Sequence, residues 1–232
     1  NYRLMKKIIA IITARQGSKR IPKKNIKKFN GKPIILNTIE KLKKSKLFDK
    51  IIISTDSKQI VKICEKKGVE APFLRSKNLS GDKVTTNAVI QHSINFLEKK
   101  NYDFNFVCCV YAPNPFLQSK DLIAGYKKVQ NSRYTFVFSG TNFLYPYSRS
   151  FIINKKQKLE LIFPENKLKK TQNIKTLTCD AAQFYWGHKK NWLKYNHVFQ
   201  KNSSIITIPN YRYCDIDTLE DWKRAEVIGK IV

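Results

Sequence analysis

The stretch IIAIITARQGSKRIPKKN, Ile8 to Asn25, decides how the rest of the chain is read. Its first half, Ile8–Thr13, is an unbroken apolar and β-branched run, the pattern of a strand buried on both faces. The twelve residues that follow, Ala14–Asn25, carry five cations and no acid. In open α/β sheets ligands sit beyond the carboxyl ends of strands, which is where this loop falls. Gly17 and Ser18 let backbone N–H groups approach an anion. Arg15, Lys19, Arg20, Lys23 and Lys24 supply charge, arginine as a planar fork and lysine as a point charge. Pro22 stiffens the chain between the two basic clusters. Neither GxxxxGK[ST] nor GxGxxG is present, so the loop is not one of those phosphate-binding signatures. On composition alone, a solvated basic loop explains it equally well.

Outward from this loop, short apolar strands alternate with amphipathic segments. Pro33–Phe48 predicts a helix, with apolar positions at 34, 35, 39, 42 and 47. Lys50–Thr55 reads as a strand, and SKQIVKICEKKG as a helix ended by Gly68. Thr86–Lys100 is a third helix, Phe104–Val110 a buried strand, Ser119–Gln130 a helix and Thr135–Gly140 another strand. This β-α-β-α order argues a mostly parallel sheet with helices on both faces. The pattern changes at about 141–178, where SFIINK and LELIF are short strands inside a lysine-rich link. That segment reads as an insertion in a single domain covering 1–232. AAQFYWG and IITIP return to strand pattern. LEDWKRAEVIGKI closes as a helix, with Thr218 as N-cap and Asp221 at N3 as a weaker form of the capping box.

The 232 residues suffice to bury roughly 70–75% of the unfolded surface without disulfides or metal. The net charge of +28 suggests a polyanionic partner, yet the lysines are spread along polar helix faces. The five cysteines are odd in number and form no CxxC, which predicts free thiols in a reducing cytoplasm. MKKIIAIITA, from the only methionine, mimics a signal peptide, but its apolar run is short and basic residues follow at once. Asn1–Leu4 read as an extension ahead of it. No apolar stretch approaches the ~20 residues of a membrane span.

ARQGSKRIPKKN with its preceding strand resembles the signature of the CMP-sialic acid synthetase (acylneuraminate cytidylyltransferase) family. The resemblance continues in order through FNGKPIILNTI, KIIISTD, FLRS, VCCVYAPNPF, CDAAQFYW and CDIDTLEDW, across nearly the whole chain. FPEN (Phe163–Asn166), Tyr111 and Asp180–Trp186 are most similar to the pseudaminic acid branch of that family. The resemblance implies a Rossmann-like nucleotidyltransferase fold with a small inserted dimerisation segment, a homodimer, and a cytoplasmic enzyme. It implies transfer of CMP from CTP to the anomeric hydroxyl of a nonulosonic sugar, most simply pseudaminic acid, with pyrophosphate leaving. Legionaminate or N-acetylneuraminate is the alternative acceptor. From another class, a non-catalytic basic nucleic-acid-binding protein is the rival, with binding that falls steeply between about 50 and 200 mM salt.

Such a transfer needs alignment and charge neutralisation on a triphosphate, with no protein nucleophile. By resemblance, Arg15 and Lys24 contact the phosphates, with Lys19 and Arg20 beside them. Ser18 and the backbone around Thr13 and Ala14 belong to the nucleotide site, Asn25 helps hold the base or ribose, Arg75 lies near the cytosine, and Thr86 touches the nucleotide. The DID triplet adds Asp215 and Asp217, whose side chains share one face if the segment is extended. Two such carboxylates repel unless a cation lies between them, and oxygen ligands beside a phosphate substrate favour Mg²⁺. Asp215 is also a candidate for taking the sugar proton, directly or through a water. The competing reading of the triplet is a plain helix cap. For the sugar, the candidates are Tyr111, Arg149 as a fork for the carboxylate, Asp180, Gln183 and Tyr185. Strand alternation puts Gln183 and Tyr185 on one face and Phe184 and Trp186 on the other, the latter pair as core. His92, His188 and His197 receive no role.

Overall fold

The computed structural model describes residues 7–143 and 147–231. Met5 therefore lies outside the described residues. The first strand, β1 (Ile8–Thr13), leads through the basic loop to a 3-10 turn, Lys24–Ile26. Two short strands follow, β2 (Lys28–Phe29) and β3 (Lys32–Pro33). They are joined by Asn30 and Gly31, both at positive φ, the backbone that suits Asn-Gly in a two-residue hairpin. Next come α1 (Ile34–Ser45), β4 (Lys50–Ser54), α2 (Lys58–Glu65), α3 (Thr86–Lys99), β5 (Phe106–Tyr111), α4 (Ser119–Val129) and β6 (Phe136–Asn142). Then come β7 (Phe151–Ile153) and β8 (Leu159–Leu161), followed by β9 (Thr178–His188), α5 (Lys189–Lys194), β10 (Ser204–Thr207) and α6 (Leu219–Ile228).

The six-stranded sheet has the order β10-β6-β9-β5-β1-β4. The pairs β1–β4, β1–β5 and β6–β10 are parallel. Only β9 runs against its neighbours, and it lies in the interior between β5 and β6. The register sets Thr13 beside both Ser54 and Tyr111. Three strands thus end level, and the loops that leave them converge at one edge.

Both sheet faces are covered, which is why β1 has no polar alternation. Ile8, Ala10 and Ile12 pack with Phe184 and Trp186 under α1, α2 and α4. Ile9 and Ile11 pack with Cys109 and Tyr185 under α3 and α5. A fully buried isoleucine of this kind contributes about 1.5–3 kcal/mol. Helix α4 lies so close to β9 that a Cβ on Gly125 would come within 2.6 Å of the Trp186 ring. Alanine there would force the helix off the sheet.

A third cluster matters most for the site. Ile21 from the basic loop, Phe29, Phe116, Ile216 from the DID triplet and Trp222 of α6 are buried together. Each polar motif therefore carries one apolar anchor, and the shared cluster ties the start of the chain to its end. Helix α6 is capped as the sequence predicts: Asp221 N–H donates to the Thr218 hydroxyl (3.1 Å), and Thr218 N–H donates to Asp221 Oδ2 (2.8 Å). The β7–β8 hairpin is a separate two-stranded sheet, with Phe151, Ile152, Ile153 and Leu159 each more than half exposed.

Candidate active site

A cavity of about 640 Å³ opens at the carboxyl ends of β1 and β5. Its walls include Thr13, Ala14, Arg15, Ser18, Lys19, Arg20, Lys24, Asn25, Arg75, Thr86, Tyr111, Asp215 and Asp217. The basic loop is held in shape by its own polar groups. Asn25 is buried and its amide donates to the Arg15 carbonyl (2.8 Å). Asp56, just beyond β4, accepts from the Gln16 N–H (2.7 Å). Lys23 takes a left-handed conformation that turns the chain out of Pro22. Lys23 itself is absent from the cavity wall, so of the five loop cations four face the cavity.

Those four are paired with carboxylates. Lys24 Nζ donates to the Ile216 carbonyl (2.6 Å) and lies 3.3 Å from Asp217 Oδ1. Arg20 lies 2.7 Å from Asp217 Oδ2. Arg15 and Lys19 reach across to Asp82, at 2.5 and 2.6 Å. These hydrogen bonds hold the Asp82 carboxyl below the usual carboxylate range. Arg75 is buried at 5% exposure, donates to the Ser80 hydroxyl (3.2 Å) and has no carboxylate partner among the described residues. Burial lowers its pKa, and Asp56 opposes that. It stays charged, because a guanidinium does not deprotonate in proteins.

Asp215 and Asp217 both line the cavity while Ile216 between them is buried, as an extended segment requires. Burial first, and then the neighbouring Asp217, push the Asp215 carboxyl up. No hydrogen bond or ion pair reaches the Asp215 carboxylate from the described residues. An unpartnered carboxylate destabilised by a second one is an oxygen-donor pair that a hard divalent cation would suit. Among the described residues no group of three or more His, Cys, Asp or Glu side chains could hold a metal ion, so the pair is not a closed cage.

The candidate sugar residues divide. Tyr111 lines the cavity, its hydroxyl 2.7 Å from the Thr86 hydroxyl, and burial pushes its pKa up to about 12. Gln183 and Tyr185, expected at the sugar, do not line the cavity. Gln183 is 2% exposed and its amide donates to the Arg212 carbonyl (2.9 Å). Tyr185 is 4% exposed, and its hydroxyl donates to Asp180 Oδ2 (2.6 Å). The physical reason is the position of β9: inside the sheet, with both faces covered, alternation separates two cores and leaves no wet face. A bulge against β6, with Ala182 at φ 51, shifts the register there. Asp180 is likewise absent from the wall, caps the Ala182 N–H (2.9 Å), and is pushed up by burial. Arg149 is also absent from it; its guanidinium donates to the Lys169 carbonyl.

Sequence reading missed one whole wall. Leu79, Ser80, Gly81, Asp82 and Val84 line the cavity opposite the basic loop. Ser-Gly-Asp between FLRS and the start of α3 is a turn signal that could have marked it.

A family model described as Cytidylyltransferase matches residues 9–223. The chain is 37% identical over 225 residues to a pseudaminic acid cytidylyltransferase of Campylobacter jejuni, covering 97% of each chain. It is 34% identical over 209 residues to a Helicobacter pylori protein described as a pseudaminic acid cytidylyltransferase and UDP-2,4-diacetamido-2,4,6-trideoxy-beta-L-altropyranose hydrolase, covering 90% of this chain and 40% of that one. Among solved structures, CMP:2-keto-3-deoxy-manno-octonic acid synthetase complexed with CTP superposes with a TM-score of 0.71 at 12% identity, covering 97% of this chain and 99% of that one. That likeness shows the nucleotidyltransferase fold.

Proposed function

The chain belongs to the cytidylyltransferase family, and from that premise we propose that it transfers CMP from CTP to the anomeric hydroxyl of a nonulosonic acid, pseudaminic acid first, releasing pyrophosphate. The observation that carries the reading is the convergence of Arg15, Lys19, Arg20, Lys24 and Arg75 with Asp215 and Asp217 on one cavity. A triphosphate is a ligand whose charge such a set matches.

In this reading the anomeric hydroxyl attacks the α-phosphorus and the bond to the β-phosphate oxygen breaks. Arg15 and Lys24 hold the phosphates and stabilise the charge that moves onto the leaving pyrophosphate. Fixed donors aimed at developing charge are typically the largest catalytic contribution. Lys19 and Arg20 add neutralisation. Arg75, with the backbone at Thr13 and Ala14, faces the base, and Asn25, Ser18 and Thr86 complete the nucleotide wall. Tyr111 marks the start of the sugar half. Asp215 and Asp217 would hold Mg²⁺, which supplies Lewis-acid polarisation of phosphoryl oxygens. Asp215 is also the candidate to accept the sugar proton, directly or through a water.

The stretch at about 141–178 is proposed as an insertion in a single domain and as the arm of a homodimer, on the strength of its exposed apolar hairpin. Five free thiols and a CTP substrate fit a cytoplasmic enzyme. Legionaminate and N-acetylneuraminate remain as the alternative acceptors to be assayed, and no observation favours the nucleic-acid-binding reading.

The test is pyrophosphate release with CTP and Mg²⁺, run in parallel with pseudaminate, legionaminate and N-acetylneuraminate. Release with pseudaminate supports the full proposal. Release only with another of the three keeps the reaction and removes the acceptor. No release with any sugar, from folded protein that binds CTP, removes the acceptor class.

A further inference from the structure

The cavity wall contains three carboxylates, Asp82, Asp215 and Asp217, and the proposed reaction uses only the last two. Asp82 comes from the opposite wall, in the loop that precedes the Thr85 cap of α3. Its two oxygens each take one cation: Oδ1 lies 2.5 Å from Arg15 and Oδ2 lies 2.6 Å from Lys19. This is the arrangement two oxygens of a phosphate would make with the same pair. The loop is registered to the cavity by Ser80, which accepts from Arg75 Nε (3.2 Å) and donates to the Ser76 carbonyl (2.9 Å). The Asp82 side chain is about half exposed, so its hold on the two cations is screened and reversible.

We propose that Asp82 is an exchange residue, an internal anion that trades places with ligand phosphate at Arg15 and Lys19. A polyphosphate must displace the Asp82 carboxylate to use both cations, since two anions cannot share the pair without repulsion. The same competition acts in reverse on pyrophosphate: once the bond to the nucleotide is broken, Asp82 competes for the two cations and speeds release. The effect is confined to phosphate. A nucleoside, which places no charge at Arg15 or Lys19, leaves the carboxylate where it is. The role attributed to Asp82 rests on the nucleotide-site reading above, yet it concerns only the cation pair and can be tested without any sugar.

The experiment is isothermal titration of the wild-type protein and of Asp82→Asn, which keeps the shape and removes the charge, with Asp82→Ser as a second variant. The probes are CTP, inorganic tripolyphosphate, pyrophosphate and cytidine. Exposed ion pairs are each worth at most about a fivefold effect. Giving up two of them predicts about five- to tenfold tighter binding of the three phosphate ligands in both variants. Cytidine binding should stay unchanged, and product inhibition by pyrophosphate should strengthen by the same factor. Phosphate binding that is equal or weaker in both variants overturns the proposal, because Asp82 would then be a spectator or a support for its two cations. Cytidine tightening alongside the phosphates also overturns it, since the loop's shape and not its charge would be at work. The tripolyphosphate arm separates this from the proposed activity: tightening there upholds the exchange even if no sugar is turned over.

Discussion

Replacing Arg212 by methionine tests how the fold holds the carboxylate segment in place. Arg212 is 3% exposed and its guanidinium meets both oxygens of Asp121, whose side chain is 9% exposed, at the start of α4. Three residues later the same segment delivers Asp215 to the cavity. The backbone around it is pinned from the sheet: Ile208 N–H donates to the Gly140 carbonyl (2.8 Å), and the Thr141 hydroxyl reaches the Ile208 carbonyl (3.0 Å). Removing one partner of a buried pair leaves an uncompensated charge and costs about 3–5 kcal/mol. For a domain of this size each kcal/mol lowers Tm by about 2–4 °C, so Arg212→Met should melt about 6–20 °C below wild type. Asp121→Leu combined with Arg212→Met, which removes both charges, should recover most of the loss. Scanning calorimetry of the wild type and both variants measures this. A single variant melting within about 2 °C of wild type, or a double variant as unstable as the single, would refute the reasoning.

Lys24→Ala removes the link to the Ile216 carbonyl and to Asp217 together with the phosphate contact, so kcat/KM for CTP should fall about 100-fold or more, while Arg15→Ala should fall comparably; steady-state pyrophosphate release reads both. Burial raises the Asp180 pKa, so its contribution to stability is present at low pH and lost as pH rises above the ordinary value of 3.8. Urea titrations of wild type and Asp180→Asn should accordingly show the wild-type advantage shrinking between pH 4 and pH 7, and an advantage that grows would contradict the burial argument. The proposed homodimer predicts that wild type scatters light as a dimer and that Ile152→Glu, which places a charge in the exposed hairpin, scatters as a monomer with little change in melting temperature.

The basic loop was legible because its charge stands directly after a buried strand. Asp215 and Asp217 were legible because extended backbone sends alternate residues the same way, and one buried isoleucine between them fixes which way. For Gln183 and Tyr185 the same rule did not tell that they lie off the cavity wall. Alternation tells which residues share a face but not whether that face is wet, and β9 turned out to lie antiparallel in the middle of the sheet. Asp82 stayed hidden because a lone acid in a turn carries no signal until the loop is folded against Arg15 and Lys19.

The sequence by itself determined the alternating α/β class, most element boundaries, the capped final helix and the cation-rich loop. These depend on contacts between residues close along the chain, where periodicity, caps and turn residues act directly. Only the tertiary structure decided which of the candidates meet. Arg15 and Asp82 are 67 residues apart, Lys24 and Ile216 are 192 apart, and Arg212 and Asp121 are 91 apart. Their meeting follows from strand order and from a shared apolar cluster, in which Ile21 and Ile216 are buried together. Those are long-range pairings that local pattern does not encode.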